Sequence, residues 1–160
     1  MITKFNPHVT YNGNCEKAFD FYKTIFGGNY SKVIRYNEMH QDSGAPSVPA
    51  EVGNQIRHIE LPLNNDTLLI GSDNAEHGSP ELNVGNNLKI SITTDERSEG
   101  ERLFNALSQE GTVKVPFGDS FWGSFYGSLI DKFGIHWLIE VPINKDHGEN
   151  FEDNANIHIP

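Results

Sequence analysis

Two periods alternate along this chain. Ala18, Phe19, Tyr22, Ile25 and Phe26 fall at i, i+1, i+4, i+7 and i+8, one stripe of a 3.6-residue helix, and Leu103, Phe104 and Leu107 repeat the core of that stripe. Each helical stretch is preceded by an extended run, Val9 to Asn14 in the first case and Ile90 to Asp95 in the second. Asn14 is a candidate N-cap for the first helix and Asp95 or Ser98 for the second, with Ser98 and Glu101 at capping-box spacing. Gly27-Gly28 and Gly111 are expected to end the helices in left-handed conformation.

Extended chain follows each helix. Tyr30 to Tyr36, Ile56 to Leu63 and Thr67 to Gly71 read as strands in the first half, and Thr112 to Phe117, Phe125 to Ile130 and Ile135 to Val141 in the second. Asn64-Asn65-Asp66 and Asp131-Lys132-Phe133-Gly134 are turn sequences between the last two strands of each half. Both halves therefore have the order β, α, β, β, β, and the chain reads as one supersecondary unit used twice. The expected fold class is α+β, with two βαβββ modules. We expect one domain over residues 1–142, with module one at about 5–73 and module two at about 88–142. His40 to Asn54 reads as an insertion loop, Asn74 to Asn87 as a polar connector, and residues 143–160 as a polar acidic tail that Ile157 and Ile159 would anchor.

Composition narrows the function classes. The chain has 160 residues, 36% hydrophobic and 21% charged, which suits a globular domain with a real core. No apolar run approaches the roughly 20 residues that span a bilayer, and Met1 to Lys4 has no apolar signal core, so the expected location is cytoplasmic. Cys15 is the only cysteine, which excludes an intrachain disulfide, a cysteine-rich zinc site and a CxxC redox motif. A formal charge of −10 argues against a nucleic-acid partner, because phosphate binding draws its affinity from clustered Lys and Arg. A neutral or cationic small ligand is easier to accommodate.

The run Val9-Thr10-Tyr11-Asn12-Gly13-Asn14-Cys15-Glu16-Lys17-Ala18-Phe19-Asp20-Phe21-Tyr22 resembles the opening of PhnB-like proteins, in which a strand and an NGN-type turn precede a helix carrying Phe-Tyr. Leu69-Ile70-Gly71-Ser72-Asp73, Arg102 to Leu107, Asp119-Ser120-Phe121-Trp122-Gly123 and Asp131 to Trp137 continue the resemblance in order, over most of Phe5 to Val141. The PhnB-like family belongs to the glyoxalase/bleomycin-resistance/dioxygenase superfamily. The resemblance implies curled mixed sheets around a cavity and a homodimer, and edge strands of an incomplete barrel favour pairing with a second chain. Some members carry a demethylubiquinone methyltransferase label. Methyl transfer from an adenosyl cofactor usually needs a glycine-rich turn in a parallel α/β sheet, and no GxGxxG-like run follows a strand here.

Metal-using branches of the superfamily take His or Glu ligands from four strands. Carried onto this chain residue by residue, those positions fall at Pro7, Glu60, Lys89 and Leu138, and Glu60 alone is an ordinary ligand. A one-residue register shift would bring in His8, giving His8, His58 and Glu60, with His136 as a further donor. The ligand-binding candidates are His58, Glu60, Trp122, Tyr126 and His136. His58 and Glu60 share one strand face, and Trp122 and Tyr126 sit in an aromatic, glycine-rich stretch suited to a planar ligand, whereas Phe121 and Phe125 read as core. Asp73 reads as a turn residue and Cys15 as a small residue of the capping region. The leading expectation is a small-molecule binding protein without a metal or other cofactor, its reaction unassigned. The rivals are a divalent-metal-dependent isomerase or dioxygenase and a drug-sequestering resistance protein.

Overall fold

The computed structural model describes residues 1–40, 48–75 and 78–143. Residues 41–47 of the expected insertion loop, 76–77 of the connector and all of the tail beyond Ile143 lie outside the described residues. The elements run β1 (His8–Tyr11), α1 (Cys15–Phe26), β2 (Lys32–Arg35), a 3₁₀ turn (Tyr36–His40), α2 (Ala50–Gly53), β3 (Ile56–Pro62), β4 (Leu68–Asp73), β5 (Ile90–Thr93), α3 (Arg97–Leu107), β6 (Thr112–Asp119), β7 (Ser124–Ile130) and β8 (His136–Pro142). They form two four-stranded sheets, ordered β1-β4-β3-β2 and β5-β8-β7-β6, so each half is a βαβββ module as expected. In each sheet the strand before the helix pairs parallel with the last strand, and the remaining pairs are antiparallel. Neither sheet closes into a barrel.

Each helix covers one sheet face. Phe19 of α1 lies over Gly71 of β4, where an added Cβ would come within 2.3 Å of the ring, and Phe104 of α3 lies over Gly127 of β7 at 2.7 Å. These glycines occupy the same rung but exchanged strands. Ile59 of β3 pairs with Gly71 of β4, and Gly127 of β7 pairs with Ile139 of β8. The same bulk has moved across one ladder while the hole for the helix aromatic was kept.

The modules are joined through their helix-covered sides. Trp137 and Tyr22 are fully buried, with ring centroids 5.6 Å apart. Asp131, in the turn between β7 and β8, accepts hydrogen bonds through Oδ2 from Tyr22 Oη (2.7 Å) and Trp137 Nε1 (2.8 Å). Its Oδ1 accepts from the backbone N–H groups of Phe133 and Ile135. A buried carboxylate with four donors is fully served, and it ties a turn of module two to the helix of module one. Arg102 of α3 adds a bond to the Ile25 carbonyl (3.1 Å).

Several local expectations are corrected. Asn14 makes no side-chain cap bond; buried Asp73 instead accepts from Cys15 N and from Ile56 N, each at 2.9 Å, so a carboxylate from β4 caps α1. Ser98 lies inside α3, whose N-cap is Glu96. Gly27 and Gly28 do take positive φ, but after α3 the left-handed residue is Glu110, not Gly111. Gly111 is required for close approach, since a Cβ there would lie 2.3 Å from the Ile130 carbonyl oxygen. The strand expected from Tyr30 to Tyr36 is shorter because Tyr36 turns inward, its hydroxyl donating to the Asp73 carbonyl (2.8 Å).

Candidate functional site

Strand pleat decides what each open sheet face presents. Ile59, Leu61 and Leu69 are buried under α1, so their neighbours His58, Glu60, Ile70 and Ser72 point to the opposite, helix-free face. His8 of β1, Ile70 of β4, Glu60 of β3 and Lys32 of β2 form one rung. In module two, Leu129, Trp137 and Ile139 are buried towards the helices, leaving Tyr126, His136, Leu138 and Glu140 on the helix-free face. Both candidate sets therefore stand on the open side of their sheets.

On the first face, His58 Nε2 donates to Glu60 Oε1 at 2.8 Å and Ser31 Oγ donates to Glu60 Oε2 at 2.9 Å. The bond from His58, then that from Ser31, holds the Glu60 carboxyl below the usual carboxylate range. His8 lies edge-on to His58, with ring centroids 6.2 Å apart, and its Nε2 is hydrogen-bonded to Ser72 Oγ at 3.1 Å. Burial, followed by the charges of His58 and Arg57, pushes the His8 imidazole below its ordinary value and favours the neutral ring. With Nε2 directed at Glu60, His58 turns Nδ1 away from the carboxylate, so the bond fixes the orientation of the ring.

These residues do not fit a four-donor chelate. Both Glu60 oxygens and the His8 Nε2 are engaged by protein partners, and among the described residues no group of three or more His, Cys, Asp or Glu side chains is arranged to hold a metal ion. Pro7, Lys89 and Leu138 contribute no ordinary metal-donor side chain.

The second face is aromatic. Trp122, in the turn between β6 and β7, meets Tyr126 edge-on at 5.3 Å and Phe121 at 4.8 Å. Glu140 of β8, on the rung of Tyr126, accepts from Ser124 Oγ (3.1 Å) and from Trp122 Nε1 (3.4 Å) through Oε1. Phe121 is exposed, contrary to the core reading, whereas Phe125 lies on the helix side with Arg97 stacked 4.2 Å over its ring. Glu140 was missed in the sequence; its place opposite Tyr126 is visible only once the register of β7 against β8 is known.

The structure thus brings His58 and Glu60 together, with His8 beside them, and separately brings Trp122 and Tyr126 together. His136 joins neither group. It lines a cleft of about 510 Å³ between β1, residues 82–88 and the β7–β8 turn, and shares that cleft with His8. Cys15 is fully buried, and burial, with the charge of Asp73 next, pushes its thiol up, so it is unsuited to nucleophilic work.

A family model described as 3-demethylubiquinone-9 3-methyltransferase matches residues 3–140. The chain belongs to that PhnB-like family. Among solved structures it is similar to protein PA1353 from Pseudomonas aeruginosa, with 31% identity, a TM-score of 0.72, and coverage of 87% of this chain and 97% of that one. It is also similar to a PhnB protein from Bacillus cereus (19% identity, TM-score 0.65, 86% and 98% covered). A member of the glyoxalase/bleomycin resistance protein/dioxygenase superfamily from Sphaerobacter thermophilus matches at 16% identity and TM-score 0.56 over 88% and 98% of the two chains, a likeness of fold. This PhnB-like chain has the fold of that superfamily. The sheets of this PhnB-like chain are mostly antiparallel, unlike the parallel α/β sheet usual for methyl transfer from an adenosyl cofactor. Among the described residues, no helix of this PhnB-like chain is long and apolar enough to cross a membrane.

Proposed function

We propose that this chain binds a small, partly aromatic organic molecule on its open sheet faces, without a metal, in a cavity completed by a second copy of the chain. The observation that carries this reading is the Trp122–Tyr126 pair standing beside Glu140 on a half-buried face that no helix of the described residues covers. Ligand sites combine apolar walls with a few oriented polar groups, and this face supplies both. The His58–Glu60 pair on the other open face adds a hydrogen-bonding group to the same class of cavity when the first sheet of one copy faces the second sheet of another. Residues 1–142 act as one domain in this reading, working as a cytoplasmic homodimer. No reaction is assigned.

Native mass spectrometry and elemental analysis of protein purified without chelator test the reading. A dimer without bound metal, whose thermal stability rises with aromatic small molecules in the parent but not in Trp122→Ala, is expected. Stoichiometric zinc, nickel or iron that is lost in His58→Ala and Glu60→Ala would overturn it. That rival metal reading is favoured by one observation, the shared face of His8, His58 and Glu60, but it requires the His58–Glu60 bond to break.

A further inference from the structure

The open face of module two sets one carboxylate, Glu140, beside the rings of Trp122 and Tyr126. We propose that Trp122, Tyr126 and Glu140 form a subsite for a quaternary ammonium group. This rests on the binding function above and names the chemistry of its ligand.

Three features converge. Trp122 is half-exposed, its Nε1 is turned towards Glu140, and Tyr126 meets its ring edge-on at 5.3 Å, so the pair forms a corner. Aromatic faces attract cations through the ring quadrupole, most strongly when the cation sheds little water, which favours an alkylated ammonium over Lys-like amines. Glu140 is the counter-charge. Its Oε1 accepts two neutral donors, Ser124 Oγ and Trp122 Nε1, which fix the carboxylate in place without neutralising it. No Lys, Arg or His occurs between Val115 and Asp131; the one cation of the hairpin, Lys114, sits at the opposite end of β6 from Tyr126, in a cleft with Ile130 and His136. Arg97 stacks on Phe125, on the helix side of the sheet. Ser120 Oγ donates to the Ser124 carbonyl (2.7 Å) and braces the turn that carries Trp122.

A planar neutral ligand would use the rings but not Glu140. A primary ammonium would demand several hydrogen-bond acceptors, and Glu140 has already committed one oxygen. An alkylated cation needs only the rings and the charge.

Choline and its neutral isostere 3,3-dimethylbutan-1-ol separate these cases by calorimetry and tryptophan fluorescence. Trp137 is fully buried, so a change in emission on binding reports Trp122. Choline is expected to bind at least about tenfold more tightly than the neutral alcohol, and Trp122→Ala and Glu140→Gln should each weaken choline about tenfold. Trp122→Phe, which keeps an aromatic face, should lose less than Trp122→Ala. Equal affinity for choline and the alcohol, no choline binding, or choline affinity unchanged in Trp122→Ala would overturn the assignment. Indole serves as the neutral aromatic probe. If indole binds the parent and not Trp122→Ala while choline fails, the binding function stands and the cation subsite falls; if neither binds, both fall.

Discussion

The two modules share an order of elements and a scheme of strand pairing, yet their two faces differ by different rules. On the helix-covered faces, change is compensated: the glycine beneath the helix phenylalanine sits on β4 in one module and on β7 in the other, with isoleucine on the partner strand each time. On the open faces there is no such exchange. Module one presents the His58–Glu60 pair with His8 beside it, and module two presents the Trp122–Tyr126 pair beside Glu140, with His136 standing apart. Close packing constrains volume at a rung, whichever strand supplies it, whereas an open face answers only to what it will touch.

The comparison breaks first at the joint. Asp131→Ala leaves four donors without an acceptor in the interior, and urea denaturation should register a loss of about 3 kcal/mol or more. Asp131→Asn keeps an acceptor oxygen and should lose clearly less. A cost below about 1 kcal/mol for the alanine variant would mean that the modules do not depend on this link.

Next come the exchanged glycines. Gly71→Ala drives a methyl into Phe19, and Gly127→Ala drives one into Phe104 and the backbone of Phe117, so each should cost about 1–3 kcal/mol. Similar penalties at both sites would sharpen the equivalence of the two rungs. A penalty at one alone would show that one helix yields and the other does not.

Acid sensitivity should belong to the open face of module one. Folding holds the His8 imidazole below its ordinary value, so the unfolded chain binds that proton more readily. The stability tied to neutral His8 is present above about pH 6.5 and falls as the pH is lowered through the ordinary imidazole range. His8→Asn should flatten the part of the stability curve that falls below about pH 6.5. The smallest effect is expected at the exposed Glu16–Arg35 pair, bonded at 2.6 and 3.0 Å: Glu16→Gln should cost well under about 1 kcal/mol and less still in high salt.

How much was legible follows the same division. The α1 stripe at Ala18, Phe19, Tyr22 and Ile25, and the turns at Asn64 and Asp131, announced themselves because helix periodicity and turn chemistry are local. Asp73 was misread as a turn residue because its role, capping α1 from a neighbouring strand, depends on contacts with Cys15 and Ile56 that are remote in sequence. Glu140 was hidden for a related reason: only pairing with β7 sets it opposite Tyr126. His58 and Glu60 were found because two-residue spacing on one strand needs no partner to be read.

The unbroken register of β8 against β7 sets a distance along the open face. His136 and Glu140 lie on the same side of that strand, four residues apart, and at about 3.3 Å per residue they stand about 13 Å from one another. The strand is thus a ruler. A ligand no longer than choline addresses one end of it, and a molecule that engages both must carry its two polar groups on a spacer of about that length, which converts the search for a natural ligand into a question of measured reach.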